Sequence, residues 1–316
     1  MIYESNLPEK TLFKPIKEGA DSLKIIAGYA TPSMVSWFLK ECESLQKNKI
    51  KVNLIIGMVI KDGITLSAHN GFKDLVMLQN DQFSFNCQYV YQGISVHSKL
   101  YLWEKDSTPY EAYIGSANFT QRAFLGANRE ILCNCDPKVA LQYYNLIESD
   151  SIYCTHSEVE EYVKILKDAD VNYSNSSISV PENLELPCVT LSLLTKKGKV
   201  GDKSGLNWGQ RPGREHNQAY IPVPAPVVRS GFFPTDGRHF SVLTDDKKQL
   251  IMRLEQDGCK AMTTPLKNSL LGEYIRNRIG VANGEYIEYQ HLLDYGRTDV
   301  KFYQLDEEQY FMDFSV

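Results

Sequence analysis

Two short stretches bring together an imidazole, an ammonium, a hydroxyl and a carboxamide. They are Val96-His97-Ser98-Lys99-Leu100-Tyr101-Leu102 and Gly115-Ser116-Ala117-Asn118-Phe119-Thr120. In extended chain, side chains two apart share a face, so His97 and Lys99 project together while Val96, Ser98, Leu100 and Leu102 point the other way. Gly115 permits close backbone approach, and Ser116 and Asn118 follow it with groups that donate to anionic oxygens. This combination suits phosphodiester chemistry. Lys99, Ser116 and Asn118 supply the charge and fixed donors that a phosphate oxyanion needs, while a neutral ring nitrogen of His97 can attack phosphorus. The other ring N–H then needs an acceptor, for which Glu130, or alternatively Glu104, offers a carboxylate.

The elements that must carry these residues are legible as hydrophobic periods. Residues 21–28 read as a strand, and Thr31-Pro32 supplies an N-cap and a first-turn proline for a helix running to about Lys47. Further strands are predicted over 52–60, 84–91, 94–103, 110–115 and 129–135, and helices over 70–78, 138–147 (led by Asp136-Pro137) and 157–166. This is the pattern of an α/β sandwich. Over 168–187 the composition turns to Asn172, Ser174, Asn175, Ser176, Ser177 and Ser179 before two prolines, which is linker chemistry and sets a boundary near residue 180. Beyond it, short strands are predicted over 188–194, 219–223, 240–244, 249–254, 285–293 and 300–305, with one strong helical pattern over 267–279. That spacing suits a small, mostly antiparallel barrel or sandwich.

The second half has its own chemistry. Between 195 and 214 stand Lys196, Lys197, Lys199, Lys203, Arg211 and Arg214 against one acid, Asp202, forming a cationic island in a chain of net charge −5. The stretch Arg211-Pro-Gly-Arg214-Glu-His-Asn217-Gln218 concentrates side chains that read base edges, Arg for guanine and Asn or Gln for adenine. Trp208 beside it either stacks on a ligand or belongs to the core. A second polar loop over 255–260 adds Lys260, and two arms of one barrel would embrace a major groove. Arg211 and Arg214, with Asn217, Gln218 and Lys260 behind them, are the candidate base readers; Lys196, Lys199 and Lys203 suit phosphates.

Composition excludes several classes. At 316 residues with 43% hydrophobic and 23% charged content, the chain can bury two ordinary globular cores, so disordered and fibrous classes drop out. The longest apolar run, over 52–60, falls far short of the roughly 20 residues that span a bilayer. Met-Ile-Tyr-Glu-Ser-Asn at the start resembles no secretion signal, and a cytoplasmic location is expected. The 7 cysteines show no framework of paired spacings, so reduced thiols are expected. Cys133-x-Cys135 fits two small residues on one sheet face better than a zinc site, for which a second Cys/His pair is missing. The negative net charge argues against an indiscriminate polyanion binder.

Taken together, His97-Ser-Lys99, Glu104 and Gly115-Ser116-Ala-Asn118 resemble the signature of the phospholipase D superfamily, with Glu130 matching a downstream carboxylate of its nuclease branch. Glu104 stands where aspartate is usual, and the gap to Gly115 is longer than in the lipase pattern. His69, His156, His216, His239 and His291 all lack the accompanying lysine, so the motif occurs once. Since the superfamily uses two histidines, the resemblance implies a homodimer with the site at the two-fold axis, one His97 attacking to form a phosphohistidine and its mate protonating the leaving oxygen. It also implies no divalent metal or other cofactor. The order strand, arm, strand, helix, three strands with a second arm, helix and two strands resembles the B-three-type pseudo-barrel. Both halves, with the phrase from Gly205 to Pro224, resemble NgoFVII-type restriction endonucleases over essentially the whole chain. The resemblance implies an α/β phospholipase D-like catalytic domain over 1–178, a mostly-β pseudo-barrel DNA-recognition domain over 183–316, and sequence-specific cleavage of double-stranded DNA. Implied partners are a second copy, a cognate DNA methyltransferase acting on the same site and, as in some relatives, an ATP-dependent translocase subunit. Two rivals stay open at this point: a phospholipase D-like lipid phosphodiesterase, against which the lack of an amphipathic membrane segment counts, and a non-catalytic sequence-specific DNA-binding protein.

Overall fold

Hydrophobic strands and the helices that cover them sort the chain into two units, Met1–Asp168 and Ala169–Val316, in a computed structural model that describes residues 1–45, 49–78, 80–126, 128–174 and 177–316. The strands of the first are β1 (Ile2–Tyr3), β2 (Ser22–Ala27), β3 (Ile50–Ile56), β4 (Ile64–Thr65), β5 (Phe83–Val90), β6 (Leu100–Lys105), β7 (Thr108–Gly115), β8 (Leu132–Cys135), β9 (Ser151–Tyr153) and β10 (Ile165–Leu166). All but β4 and β10 join one sheet in the order β1-β8-β7-β6-β2-β3-β5-β9. At its centre β2, β3 and β5 run parallel. Parallel strands are covered on both faces, and β2 accordingly buries Leu23, Ile25, Ile26 and Ala27 in succession.

Its helices are α1 (Lys14–Lys17), α2 (Pro32–Leu45), α3 (Val59–Asp62), α4 (Leu66–Met77), α5 (Gln121–Phe124), α6 (Pro137–Glu148) and α7 (Val159–Tyr162). One sheet face receives α6, whose Ala140, Tyr144 and Ile147 pack against Ile26, Leu100, Leu102 and Ala112. The other receives α2, where Phe38 meets Trp103 of β6 at 6.4 Å and Phe119 at 6.0 Å between ring centroids. The caps read from sequence are in place: Asp136 accepts from the amides of Lys138 and Val139, and Thr31 Oγ1 accepts from Met34 N at 3.3 Å. The predicted end of α2 at Lys47 lies outside the described residues, as do Asn175 and Ser176 of the expected linker.

Three expectations for this unit change. The strand predicted over 94–103 forms its ladder only from Leu100; residue 94 lies in a bend and 95–99 have no place in the sheet. The run over 52–60 ends as a strand at Ile56 and turns into α3. The helix predicted over 157–166 stops after α7, because Ile165 and Leu166 pair in parallel with Ile64 and Thr65, and tertiary pairing overrides local propensity. Helical turns over 8–17 went unread, since Pro8 and Pro15 argue against helix by type although both sit in first turns, where proline is tolerated.

The second unit holds β11 (Asn172–Tyr173), β12 (Ile178–Ser179), β13 (Cys188–Ser192), β14 (Ile221–Pro222), β15 (Phe240–Thr244), β16 (Gln249–Glu255), β17 (Ala261–Thr263), β18 (Asp299–Gln304) and β19 (Gln309–Asp313), with α8 (Ala225–Ser230), α9 (Leu270–Arg278) and α10 (Tyr289–Tyr295). Seven strands form one sheet in the order β13-β18-β19-β15-β16-β17-β14, and its end strands β13 and β14 touch, so the sheet is nearly closed into a mostly-β pseudo-barrel. Its core includes Leu191, Ile221, Phe233, Phe240, Phe302 and Tyr310.

The division between units falls after Asp168, ahead of the boundary expected at 178–183. Ile178 packs with Leu243 and Phe311 and donates its N–H to Asp245 O at 2.7 Å, which draws the β11–β12 hairpin into the second unit. The strand predicted over 285–293 is instead the helix α10. Its N-terminus is closed by a reciprocal capping box between Glu288 and His291, and among its residues only Leu292 is buried, so it has little apolar period to read.

Candidate active site and DNA-facing loops

The segment leading into β6 is pinned at both ends. Val96 N donates to Gly57 O at 3.0 Å, and Lys99 O accepts from Gly115 N at 3.3 Å. Between these points the two-residue alternation holds although no ladder pairs the segment. Val96 joins the core under α6, and Ser98 Oγ hydrogen-bonds Tyr143 Oη on that helix at 3.0 Å. The other face carries the candidate residues. His97 is exposed, whereas Lys99 is only 7% exposed. Lys99 Nζ donates to His97 O at 2.6 Å and lies 3.1 and 3.3 Å from His97 Nδ1 and Nε2. An ammonium only donates, so in either contact the ring nitrogen is the acceptor. Burial lowers the Lys99 pKa below the usual 10.5, opposed by the negative charge of Glu130.

The second motif closes against the start of β8. A Cβ on Gly115 would stand 2.0 Å from Ile131 O, so only glycine fits there. Ser116 N donates to Ile131 O at 3.0 Å, Ser116 Oγ accepts from Ile131 N at 3.1 Å, and the same hydroxyl donates to the Glu130 carboxylate. Asn118 Oδ1 accepts from Tyr29 N at 3.1 Å, which leaves its Nδ2 able to donate to a ligand. At Gly28 the two motifs meet: a Cβ there would lie 2.8 Å from His97 Cδ2 and 3.4 Å from Asn118 Oδ1.

Two expected orienting roles are not found in the single chain. Glu130 accepts from Ser116 and, at 3.4 Å, from Asn128, while the His97 nitrogens face Lys99; the adjacent hydroxyl has claimed the carboxylate. Glu104 is an ion-pair partner between strands, bound to Lys24 at 2.5 Å and Ser22 at 3.0 Å and buried at the far end of β6. Tyr29 and Asp62 were missed from sequence. The Tyr29 ring stands edge-on to His97, with centroids 5.8 Å apart, and its hydroxyl donates to Asp62 at 2.6 Å.

Beside Lys99 lies a cleft of about 670 Å³ whose lining includes Ile114, Cys133, Cys135, Val139 and Tyr143. Cys133 and Cys135 share this wall as free thiols. Among the described residues, no group of three or more His, Cys, Asp and Glu side chains could hold a metal ion, and no helix is long and apolar enough to cross a membrane.

In the second unit, Lys196 and Lys260 line one cleft of about 850 Å³ between the loop after β13 and the loop joining β16 to β17. Lys199, Lys203, Arg211 and Arg214 are exposed. Arg211 Nε donates to Lys203 O at 2.7 Å, while Arg214 lays its guanidinium over Trp208, 4.0 Å from the ring centroid, and donates to Gln218 Oε1 at 3.0 Å. Asn217 has a different task from the base reading expected of it. It is buried, and its Oδ1 accepts from Gly284 N at 2.7 Å, so the carboxamide holds the loop and is withheld from ligand. Sequence reasoning also missed Arg276, fully buried on α9, which donates to the carbonyls of Glu285, Gly272, Leu206 and His216 and ties the base of the cationic loop.

No curated protein matches the chain. Among solved structures it is similar to NucT from Helicobacter pylori (18% identity, 48% of this chain and 97% of that chain, TM-score 0.33). It is also similar to Nuc from Salmonella typhimurium, a phospholipase D family member (16%, 48% and 95%, TM-score 0.33), and to polyphosphate kinase from Porphyromonas gingivalis (14%, 49% and 24%, TM-score 0.30), of which it spans about a quarter. Residues 5–161 match the model of the NgoFVII restriction endonuclease N-terminal PLD domain, and residues 183–306 match that of the NgoFVII C-terminal B3-like DNA-binding domain. With both halves matched in order, and with the histidine–lysine cluster and the nearly closed barrel each in its own half, the chain belongs to the NgoFVII family of phospholipase D-type restriction endonucleases, enzymes that hydrolyse DNA phosphodiesters.

Proposed function

We propose that this endonuclease cuts double-stranded DNA at a specific sequence, without a metal ion, through a phosphohistidine formed in a site shared by two copies of the chain. The carrying observation is the exposed His97 ring resting on one buried ammonium, in a chain whose sequence holds one His-x-Lys motif. An unprotonated nitrogen of His97 attacks phosphorus and the P–O bond to the leaving nucleotide breaks. The departing oxygen takes a proton from the partner subunit's His97. That imidazole, now neutral, accepts a proton from water as the water attacks phosphorus, and the N–P bond breaks to free His97. Lys99 and the Nδ2 of Asn118 hold the non-bridging oxygens. Ser116 and Glu130, bound to each other, fix the wall from which Asn118 projects.

An apolar strip beside the site supports self-association. Ile114, Val139 and Tyr143 are 43%, 60% and 38% exposed around the cleft that borders Lys99. In the barrel unit, Lys196 and Lys260 on facing loops suit the two walls of a groove, Lys199 and Lys203 suit phosphates, and Arg211, Arg214 and Gln218 suit base edges. Double-stranded DNA as substrate places the enzyme's work in the cytoplasm, with a methyltransferase for the same site as its counterpart and an ATP-dependent translocase as a further candidate partner.

Incubating plasmid with the purified protein in excess EDTA tests the chemistry. Cleavage is expected to continue within about twofold of its rate with magnesium, because lysine and carboxamide do the electrostatic work. Loss of cutting in EDTA, restored by a divalent ion, would overturn the proposal.

A further inference from the structure

The rim of the site contains a residue that touches both motifs. We infer that Tyr29, anchored by Asp62, is a positioning residue that sets the His97 ring and the Asn118 carboxamide together for attack on phosphate. The inference rests on the reading of His97 as nucleophile.

Three contacts of one residue carry it. The Tyr29 ring stands at 78° to the imidazole with centroids 5.8 Å apart, so it limits rotation of an otherwise exposed side chain. Its backbone N–H can only donate, so the Asn118 atom facing it at 3.1 Å is the oxygen, and the amide NH₂ is turned toward the site. Its hydroxyl donates to Asp62 Oδ2 at 2.6 Å.

The frame behind these contacts is tied on both sides. Met58 N donates to Gly28 O at 3.1 Å, and Asp62 N donates to Met58 O at 2.9 Å, so the turn that carries Asp62 is fixed to the chain just before Tyr29. Gly28 lets that chain approach: any side chain there would collide with His97. The hydroxyl–carboxylate bond also raises the phenol pKa above the usual 10.0, which keeps the donor protonated. Tyr29 is 43% exposed and Asp62 is exposed, so the pair stands at the rim of the site rather than in the core.

The test compares wild type, Tyr29→Phe, Asp62→Ala, the Tyr29→Phe/Asp62→Ala double variant, Tyr29→Ala and His97→Ala, on plasmid DNA and on bis(4-nitrophenyl) phosphate, with melting curves as a folding check. Tyr29→Phe and Asp62→Ala are expected to lower kcat about 10-fold each with KM unchanged, and Tyr29→Ala about 100-fold, since misplacing a reacting group costs rate rather than binding. The double variant should fall no further than either single variant, because both remove one bond. If both single variants keep kcat within about twofold of wild type, or raise KM alone, the positioning role is wrong. The His97→Ala arm separates the two readings. A dead His97→Ala beside unaffected Tyr29 variants sinks only the positioning role, whereas an active His97→Ala, or a wild type inert on both substrates, sinks the nucleophile reading and this inference with it.

Discussion

Replacing His97 with alanine is expected to lower the first-order rate of DNA cleavage on the order of 10⁴-fold, while melting temperature and DNA affinity stay near wild type. The ring is exposed and meets the rest of the chain through Lys99, Tyr29 and the space over Gly28, so truncation removes little buried surface and leaves no large cavity. What disappears is the proposed nucleophile. In the proposed homodimer the partner subunit's His97 is lost as well, so the variant lacks both the proposed nucleophile and the proposed acid. A single-turnover time course, with melting and filter-binding controls, checks this. A residual rate within about 10-fold of wild type would assign the bond-making step elsewhere.

Lys99→Met should cost on the order of 10³-fold in kcat with little change in KM, the loss expected for an oriented charge that acts on the transition state. Methionine matches the length of the buried stem and avoids leaving a cavity or an unpaired charge, so the effect reads the ammonium rather than the packing. Nζ also bridges His97 O and the ring, and its removal frees the imidazole to turn. A pH signature accompanies this role. Burial lowers the Lys99 pKa, so activity that needs the ammonium should decline on the alkaline side at a pH below the 10.5 of an ordinary lysine. Steady-state profiles of wild type and Lys99→Arg check it: the arginine stays charged, and its residual activity should show no such decline. Unchanged kcat in Lys99→Met would refute the electrostatic role.

Much of the candidate cluster's grouping was legible because its geometry is local. His97 and Lys99 share a face by two-residue alternation, and that alternation survives outside the ladder. Gly115 is required by the backbone of Ile131 pressing against it, which its place before Ser116 already hinted at. The partners of these residues were less legible. Glu130 could be recognised by type, but its choice of Ser116 over the imidazole depends on how the start of β8 meets the end of β7. Tyr29 and Asp62 follow two different strands and meet only because β2 and β3 pair in parallel, so no spacing along the chain announces them.

The second half shows the opposite limit. Arg211, Arg214 and Gln218 were chosen for what their side chains can read and are accessible or partly so, but Asn217, chosen on the same ground, is taken by Gly284 N. Arg276 has the type of a DNA contact and the burial of a core residue, and only the fold reveals which applies. For α10 the difficulty was the reverse: a capping box and a following glycine at φ 97° set its ends, while its single buried side chain gave no helical stripe.

The most direct measurement of the shared two-histidine site is the activity of mixed dimers. Wild-type and His97→Ala chains carrying different affinity tags can be co-expressed and the mixed species isolated. If each cut needs one imidazole to attack and the other to protonate, the mixed dimer should cleave on the order of 1% as fast as wild type or slower, since a general acid alone contributes about 10²-fold or more. A mixed dimer retaining about half the wild-type rate would show that each chain works with its own histidine, and the shared site would be contradicted.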